Sequence, residues 1–472
     1  MHNRQQSGAL IVIVSAIAAL AGLLFGFDTG IISGALLFIQ KDFVLTTTMK
    51  ELVVSSVLPG AMAGSLLSGR LTDQFGRRRL MLVVSALFIL GTAIASFATQ
   101  VEYIIMGRLI IGTAIGMGSY TAPLYIAEVS PHHLRGGLVT LNQLAITIGI
   151  LSSYLINYAF TSFDGSWRWM FGMGLIPAIL LSIGMIFLPE SPRWLIKQNF
   201  LDKAQHTLRA LRNSNDVSEE MNEIQNSLRI KKARFREIFT PWILPVLFFG
   251  AALGFIQQVT GINTIIYYAP TIFKMAGFHA DKTSILATVG IGVVNVLSTI
   301  SAIFLLDRVG RRPLLLTGLI GMFLSLLGLS FVFTHSAATI DAMRWVALGC
   351  TFSFIICFAF SLGAILWLVV SEIFPLEVRG AAMGVAVFSC WFWNFVVSST
   401  FLTLLDKLGP SHTFLLYAFM CIISFIFCYY KAPETRGVTL EQIENNIRNR
   451  LPLRSIGQSA NTYQISNAFR TS

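Results

Sequence analysis

Charge is what this chain has least of. Only 12% of its 472 residues are Asp, Glu, Lys or Arg, against about a quarter in a typical soluble protein. That shortage excludes an ordinary water-soluble domain, which needs a charged surface. Cysteine is limited to Cys350, Cys357, Cys390, Cys421 and Cys428, all in apolar segments. Their spacing matches no metal-ligand pattern, so they read as small packing residues. The seven histidines lie at loops or termini, and no Ser/His/Asp or metal-ligand constellation is present, which argues against a membrane enzyme.

Apolar residues are plentiful, at 54% of the chain. Stretches of about 20 recur, each long enough to cross a hydrocarbon core about 30 Å thick as a helix. The sequence predicts twelve, at 10–36, 52–69, 80–98, 103–127, 138–160, 168–188, 242–272, 284–305, 313–333, 342–370, 380–404 and 412–430. Lipid offers no partners to backbone groups, so the fold class is an all-α membrane protein. The first segment is too long for a cleavable signal peptide and lacks its small-residue cleavage site.

The net charge of +11 could point to nucleic acid, but its placement does not. With the N-terminus inside, and Arg108 set aside as intramembrane, 26 basic residues fall on the inner side and seven on the outer. This positive-inside bias predicts that both termini are cytoplasmic.

The chain also repeats itself. "GRLTDQFGRRR" follows the second span and "LLDRVGRR" the eighth; "EVSPHHLRGG" follows the fourth and "EIFPLEVRGA" the tenth; "PESPRW" ends the sixth and "PETRG" the twelfth. Two parallel six-helix halves describe the major facilitator architecture, with a substrate site expected between the halves near mid-membrane. The predicted parts are 1–188, 189–241 as a cytoplasmic linker, 242–430, and 431–472 as a cytoplasmic tail. In the linker, Leu201, Ala204, Leu208 and Leu211 recur at helical spacing. The last tail residues are expected to be disordered.

These motifs, with "SYTAPLYIAEVSPHHLRG", "WRWMFGMGLIPAILL" and "QQVTGINTIIYYAP", carry a resemblance over about residues 10–445. The chain resembles the sugar porter family of the major facilitator superfamily, and within it bacterial galactose and arabinose proton symporters. The resemblance implies a monosaccharide carrier in the inner membrane.

Asp28 reads as the one acid deep within a span, and Arg108 as the one deep base, at matching depths. An ionised Asp in the bilayer core costs several kcal/mol unless paired or wet. Gly22, Gly26, Gly30 and Gly34 form a stripe for close helix approach; Asp28 lies about 200° around the helix from its nearest glycines. The pair is either a permanent tie between two helices or a proton site whose pairing changes during transport. Burial favours the neutral acid and a neighbouring guanidinium the carboxylate, so a movement that separates them shifts the balance. The resemblance implies the second reading, with Asp28 as proton acceptor and Arg108 as coupling partner.

A sugar site needs groups that both donate and accept, and neutral amides do. Gln143 lies in the fifth span, Gln257, Gln258 and Asn263 in the seventh, Asn295 in the eighth and Asn394 in the eleventh. A single buried amide can equally be interhelical glue; the seventh-span cluster is read as substrate-binding. Thr260-Gly261 is expected to loosen that helix. The resemblance implies sugar contacts at all these amides and at Phe25, Tyr267, Gly363, Trp367 and Trp391. Two positions depart from the family pattern. Cys390 stands where relatives usually carry Asn or Gln, so a strong sugar partner is missing. Ala364 follows Gly363 where Pro is common, so the tenth helix is expected to bend less easily.

Asp73, Arg77, Arg78, Glu128 and Arg135 in one half, and Asp307, Arg308, Arg312, Glu372 and Arg379 in the other, cluster at inner helix ends. Part of this pattern is topology marking. The recurrence of acids at equivalent places reads as an inner gate, closed by ion pairs in the outward-open state and opened by their separation. The expected function is therefore proton–monosaccharide symport of the galactose, arabinose, xylose or glucose type, by alternating access. The partners are sugar, proton and lipid bilayer, with no nucleic acid, no metal, no cofactor beyond the coupling proton, and a monomeric chain. The alternatives are a facilitative uniporter and a non-transporting sugar sensor.

Overall fold

The computed structural model describes residues 2–131, 134–214, 216–228, 235–334, 341–375 and 377–457. Among them, twelve helices are long and apolar enough to cross a membrane: Leu10–Asp42, Thr47–Phe75, Arg77–Ser96, Val101–Val129, Arg135–Ala159, Ser166–Phe187, Leu244–Met275, Asp281–Leu306, Arg311–Thr334, Ala342–Ile373, Arg379–Ser398 and Phe401–Lys431. They are spans 1 to 12 below. The chain divides into two compact units, Met1–Lys231 and Lys232–Ser472.

Each unit packs its six spans in the same way. The first span of the unit lies on the fifth, the second on the fourth, and the third on the fourth and sixth. The span 1 glycine stripe explains the first of these contacts. A Cβ added to Gly26 would sit 1.8 Å from the Ile146 carbonyl oxygen of span 5, so only glycine lets the two backbones meet.

Spans 2, 10, 11 and 12 differ most from the hydropathy reading. Span 2 starts at Thr47, because the Thr46 side chain accepts the Met49 amide hydrogen and caps the helix ahead of its apolar run. Span 11 ends at Ser398, and span 12 begins at Phe401 and kinks at Gly409, whose φ is +77°, before Pro410. The predicted spans 380–404 and 412–430 leave this stretch between them, where Asp406 and Lys407 interrupt the apolar run. Span 10 is interrupted at Ser361, between Asp341–Phe360 and Leu362–Ile373. Ala364 does not keep this helix straight: Ser361 leaves helical geometry (φ −112°, ψ −103°) and its hydroxyl donates to the Cys357 carbonyl.

The linker contains the helices Pro192–Lys197, Leu201–Arg212 and Ser218–Leu228. Ala204, Leu208 and Leu211 are buried, whereas Leu201 faces outward. Met221, Ile224 and Leu228 close over Trp194, Leu195, Ile196 and Ala204. A further helix, Leu440–Arg448, buries Ile443 and Ile447. The tail end expected to be disordered, 458–472, lies outside the described residues.

Candidate functional site

The first unit brings Asp28 and Arg108 together. Asp28 is 2% exposed and Arg108 fully buried. Arg108 Nη1 donates to Asp28 Oδ1 at 3.2 Å and Nη2 to Oδ2 at 3.3 Å. Such a pair is slightly longer than the 2.7–2.9 Å of the tightest charge-assisted bonds. Two further groups hold the guanidinium. Its Nη2 also donates to the Val54 carbonyl at 3.2 Å, and its centre lies 6.0 Å from the Phe171 ring. Val54 is one residue from the end of the helix Thr47–Ser55, beside the break at Ser56. Pro59 lacks the N–H that would meet the Ser55 carbonyl, which weakens the ladder there.

Glu51 is also 2% exposed, near the start of span 2, which begins at Thr47, ahead of its apolar run. Phe25 and Gln143 are half-buried in spans 1 and 5.

The second unit gathers the amides of span 7. The helix Leu244–Val259 stops at Thr260, Gly261 takes φ +90°, and a new helix runs Ile262–Met275. This left-handed turn, easy only for glycine, places Gln257, Gln258 and Asn263 around one break. Gln257 Nε2 donates to the Leu362 carbonyl (3.0 Å), Gln258 Nε2 to Gln257 Oε1 (3.1 Å), and Asn263 Nδ2 to Gln258 Oε1 (2.7 Å). Leu362 follows the span 10 interruption directly and precedes Gly363.

Cys390 joins this network, contrary to its reading as a packing residue. Its Sγ lies 3.1 Å from Gln258 Nε2 and 3.2 Å from Gln257 Oε1. Asn394, one turn on, accepts from the Ser398 hydroxyl at 3.0 Å. Asn295 is buried, and its side chain makes no hydrogen bond among the described residues. Tyr267 and Trp391 are buried, while Trp367 is 37% exposed.

At the arginine-rich turns the two units repeat one design. Arg77 grips Glu128 through Nε (2.7 Å) and Nη2 (2.8 Å), and the Ser191 hydroxyl donates to the same carboxylate. Arg311 pairs with Glu372 at 3.0 Å, and the Thr435 hydroxyl donates to that carboxylate. Glu190 accepts from the backbone amides of Arg77 and Arg78 at 2.8 and 3.1 Å. Glu434 accepts from those of Arg311 and Arg312 at 3.1 and 3.0 Å. Gly76 and Gly310, at φ +93° and +102°, make the turns that expose these amides to the acids.

The partner of Glu372 is thus Arg311, not the expected Arg308 or Arg312. Arg312 reaches the Tyr429 carbonyl with its Nη2, and Arg308 is exposed. Arg379 donates from Nε to the Phe374 carbonyl, while Arg135 makes no ion pair among the described residues. Neither joins the carboxylate of its unit. Each lies past the turn that leaves its fourth or tenth span. Asp73 is 3.8 Å from Arg77 and 2.8 Å from Lys197. The Asp307 side chain lies outside those described.

Comparison with known proteins gives this geometry a context. Residues 14–447 match the family model "Sugar (and other) transporter". The chain is 40% identical to the galactose-proton symporter of Escherichia coli strain K12, over 95% of this chain and 97% of that one. It is 41% identical to the glucose transporter GlcP of Staphylococcus epidermidis, over 94% and 98%. Its structure is similar to a partially occluded, inward-open conformation of the xylose transporter XylE from E. coli. That match has a TM-score of 0.80 at 30% identity and covers 91% of this chain and 99% of that one.

Proposed function

The chain belongs to the sugar transporter family of the major facilitator superfamily, a family of multi-pass membrane carriers and not of enzymes, and from that premise we propose that it is a proton–monosaccharide symporter. The observation that carries the coupling is the buried Asp28–Arg108 pair. In the proposed cycle Asp28 takes a proton from the outer side and releases it inside. While Asp28 is neutral, Arg108 keeps the Val54 carbonyl and the Phe171 face, which offset part of the lost ion pair. Carriers of sugar with a proton stand among the relatives, which supports the reading.

The sugar is proposed to bind the seventh-span amides, with Phe25, Gln143, Tyr267, Asn295, Gly363, Trp367, Trp391 and Asn394 as further contacts. The Arg77–Glu128 and Arg311–Glu372 clusters are proposed to rearrange when the inner side opens, in alternating access. Both termini are proposed to be cytoplasmic, which the positive-inside bias supports, and the membrane is proposed to be the inner one. The proton acts as coupling ion. Moving one charge through 100 mV is worth about 2.3 kcal/mol, which supports roughly 50-fold accumulation at about 1.4 kcal/mol per decade.

The test is uptake of labelled galactose, arabinose, xylose and glucose into proteoliposomes, with and without a pH gradient, acid outside. Accumulation above the external concentration only with the gradient is the expected result. Equilibration that ignores the gradient would make the protein a uniporter.

A further inference from the structure

Resting on the sugar-site reading above, we propose that Cys390 is a positioning residue that locks the Gln257–Gln258 amides in one orientation and leaves its own side of the site poor in hydrogen-bonding groups. A backbone carbonyl oxygen can only accept a hydrogen bond. The Leu362 carbonyl faces Gln257 at 3.0 Å, so Gln257 must present its NH2 there and turn its oxygen to the other side. That oxygen meets Gln258 at 3.1 Å, so Gln258 must present its NH2, and its oxygen faces Asn263 at 2.7 Å. One backbone carbonyl at the start of the second half of span 10 thus sets the sense of three side-chain amides.

The thiol closes the chain. It accepts from the second N–H of Gln258 and donates its own hydrogen to the second lone pair of Gln257 Oε1. A thiol does both weakly. Gln257 Oε1 then has both lone pairs engaged and Gln258 both amide hydrogens. What remains for a sugar is one N–H of Gln257, one lone pair of Gln258, and one N–H and the oxygen of Asn263. Cys390 itself keeps nothing to offer but a soft, nearly apolar sulfur. An Asn in its place could make the same two bonds and still present one donor and one acceptor. The site of this chain is therefore built for a sugar that demands no hydroxyl partner at that side.

The experiment uses the full-length chain in proteoliposomes. It measures exchange kinetics for galactose, arabinose, xylose and glucose, and then for the monodeoxy analogues of whichever binds best. Cys390→Val removes both bonds and adds the bulk of about one methyl group. It should raise KM about 3- to 10-fold for all four sugars, because binding must then order two amides that the thiol no longer holds, with kcat unchanged and the melting temperature lowered by the two lost bonds. Cys390→Ser should recover KM to within about twofold, because a hydroxyl repeats the donor and acceptor roles. Cys390→Asn should make one deoxy analogue that the parent tolerates bind about 3- to 10-fold worse than its parent sugar.

A Cys390→Val protein with parental KM, or a Cys390→Asn protein with the parental deoxy profile, overturns the proposal. A parent that binds none of the four sugars overturns the carbohydrate reading itself, and this proposal with it. A parent that binds sugar while its position-390 variants are indistinguishable from it defeats only the role of Cys390.

Discussion

Replacing Asp28 by Asn probes the two faces of the buried pair at once. The substitution keeps volume and one acceptor oxygen but removes the negative charge. Arg108, fully buried, would retain the Val54 carbonyl, the Phe171 face and a single neutral bond to Asn. Breaking one side of a buried ion pair typically costs about 3–5 kcal/mol, because the surviving charge stays in a poor solvent. The retained partners place the expected loss at the lower end of that range. Function should fall differently. With no carboxyl group to carry a proton, the roughly 50-fold accumulation expected from a 100 mV driving force should drop to simple equilibration. Sugar-for-sugar exchange, which needs no net proton movement, should persist. A second variant separates stability from coupling. Asp28→Asn with Arg108→Gln removes the stranded cation, so the double variant should melt above Asp28→Asn alone, yet still fail to accumulate sugar. The assays are thermal unfolding in detergent and gradient-driven uptake in proteoliposomes. Uphill accumulation by Asp28→Asn would refute the proton-site assignment. A double variant no more stable than the single one would refute the stranded-charge reasoning.

Three more outcomes follow from the geometry. Gln258→Ala and Asn263→Ala should each weaken sugar binding about 5- to 150-fold, the equivalent of about 1–3 kcal/mol for a buried partner lost; unchanged affinities by calorimetry for both would remove the seventh span from the site. Glu128→Gln should destabilise more than Glu372→Gln, because the Arg77–Glu128 side chains are 6% and 5% exposed and those of Arg311–Glu372 12% and 18%; about 3 against about 1 kcal/mol is expected from the burial dependence of ion pairs, and equal melting temperatures would count against it. Gly26→Ala should damage the unit severely through its 1.8 Å clash with Ile146, whereas Gly137→Ala, with nothing within 4 Å, should be silent; the comparison is read by expression and thermal unfolding.

What the sequence disclosed, and what it hid, divides along physical lines. The spans were legible because their apolar length is dictated by the bilayer, and the two halves because their arginine turns recur in order. The Asp28–Arg108 encounter was legible because two charges at equal depth in a charge-poor chain have few other partners. Backbone partners were not. The carbonyls of Val54 and Leu362 orient Arg108 and Gln257, and a carbonyl has no sequence signature. The break at Gly261 could be foreseen from Thr260-Gly261, whereas the Gly409 kink of span 12 was not. The break at Ser361 could not, since its hydroxyl bond to the Cys357 carbonyl is one that most helical serines make without breaking a helix. Glu190 and Glu434 sat inside the quoted motifs "PESPRW" and "PETRG", and their equal offsets from Glu128 and Glu372 were the available signal. Their role as caps over backbone amides needed the positive φ of Gly76 and Gly310 to be seen. Glu51 falls just before the predicted span 52–69, because Thr46–Thr48 and Lys50 delay the apolar run.

The central claim is that sugar and proton cross together through Asp28. The direct measurement is external pH in a weakly buffered suspension of proteoliposomes with no imposed gradient, recorded as sugar is added. Sugar entry should draw protons in and make the medium more alkaline, in step with labelled uptake and at a fixed ratio to it, and Asp28→Asn should abolish the pH change while sugar exchange continues. Sugar uptake by the parent protein with no change in external pH would contradict the account.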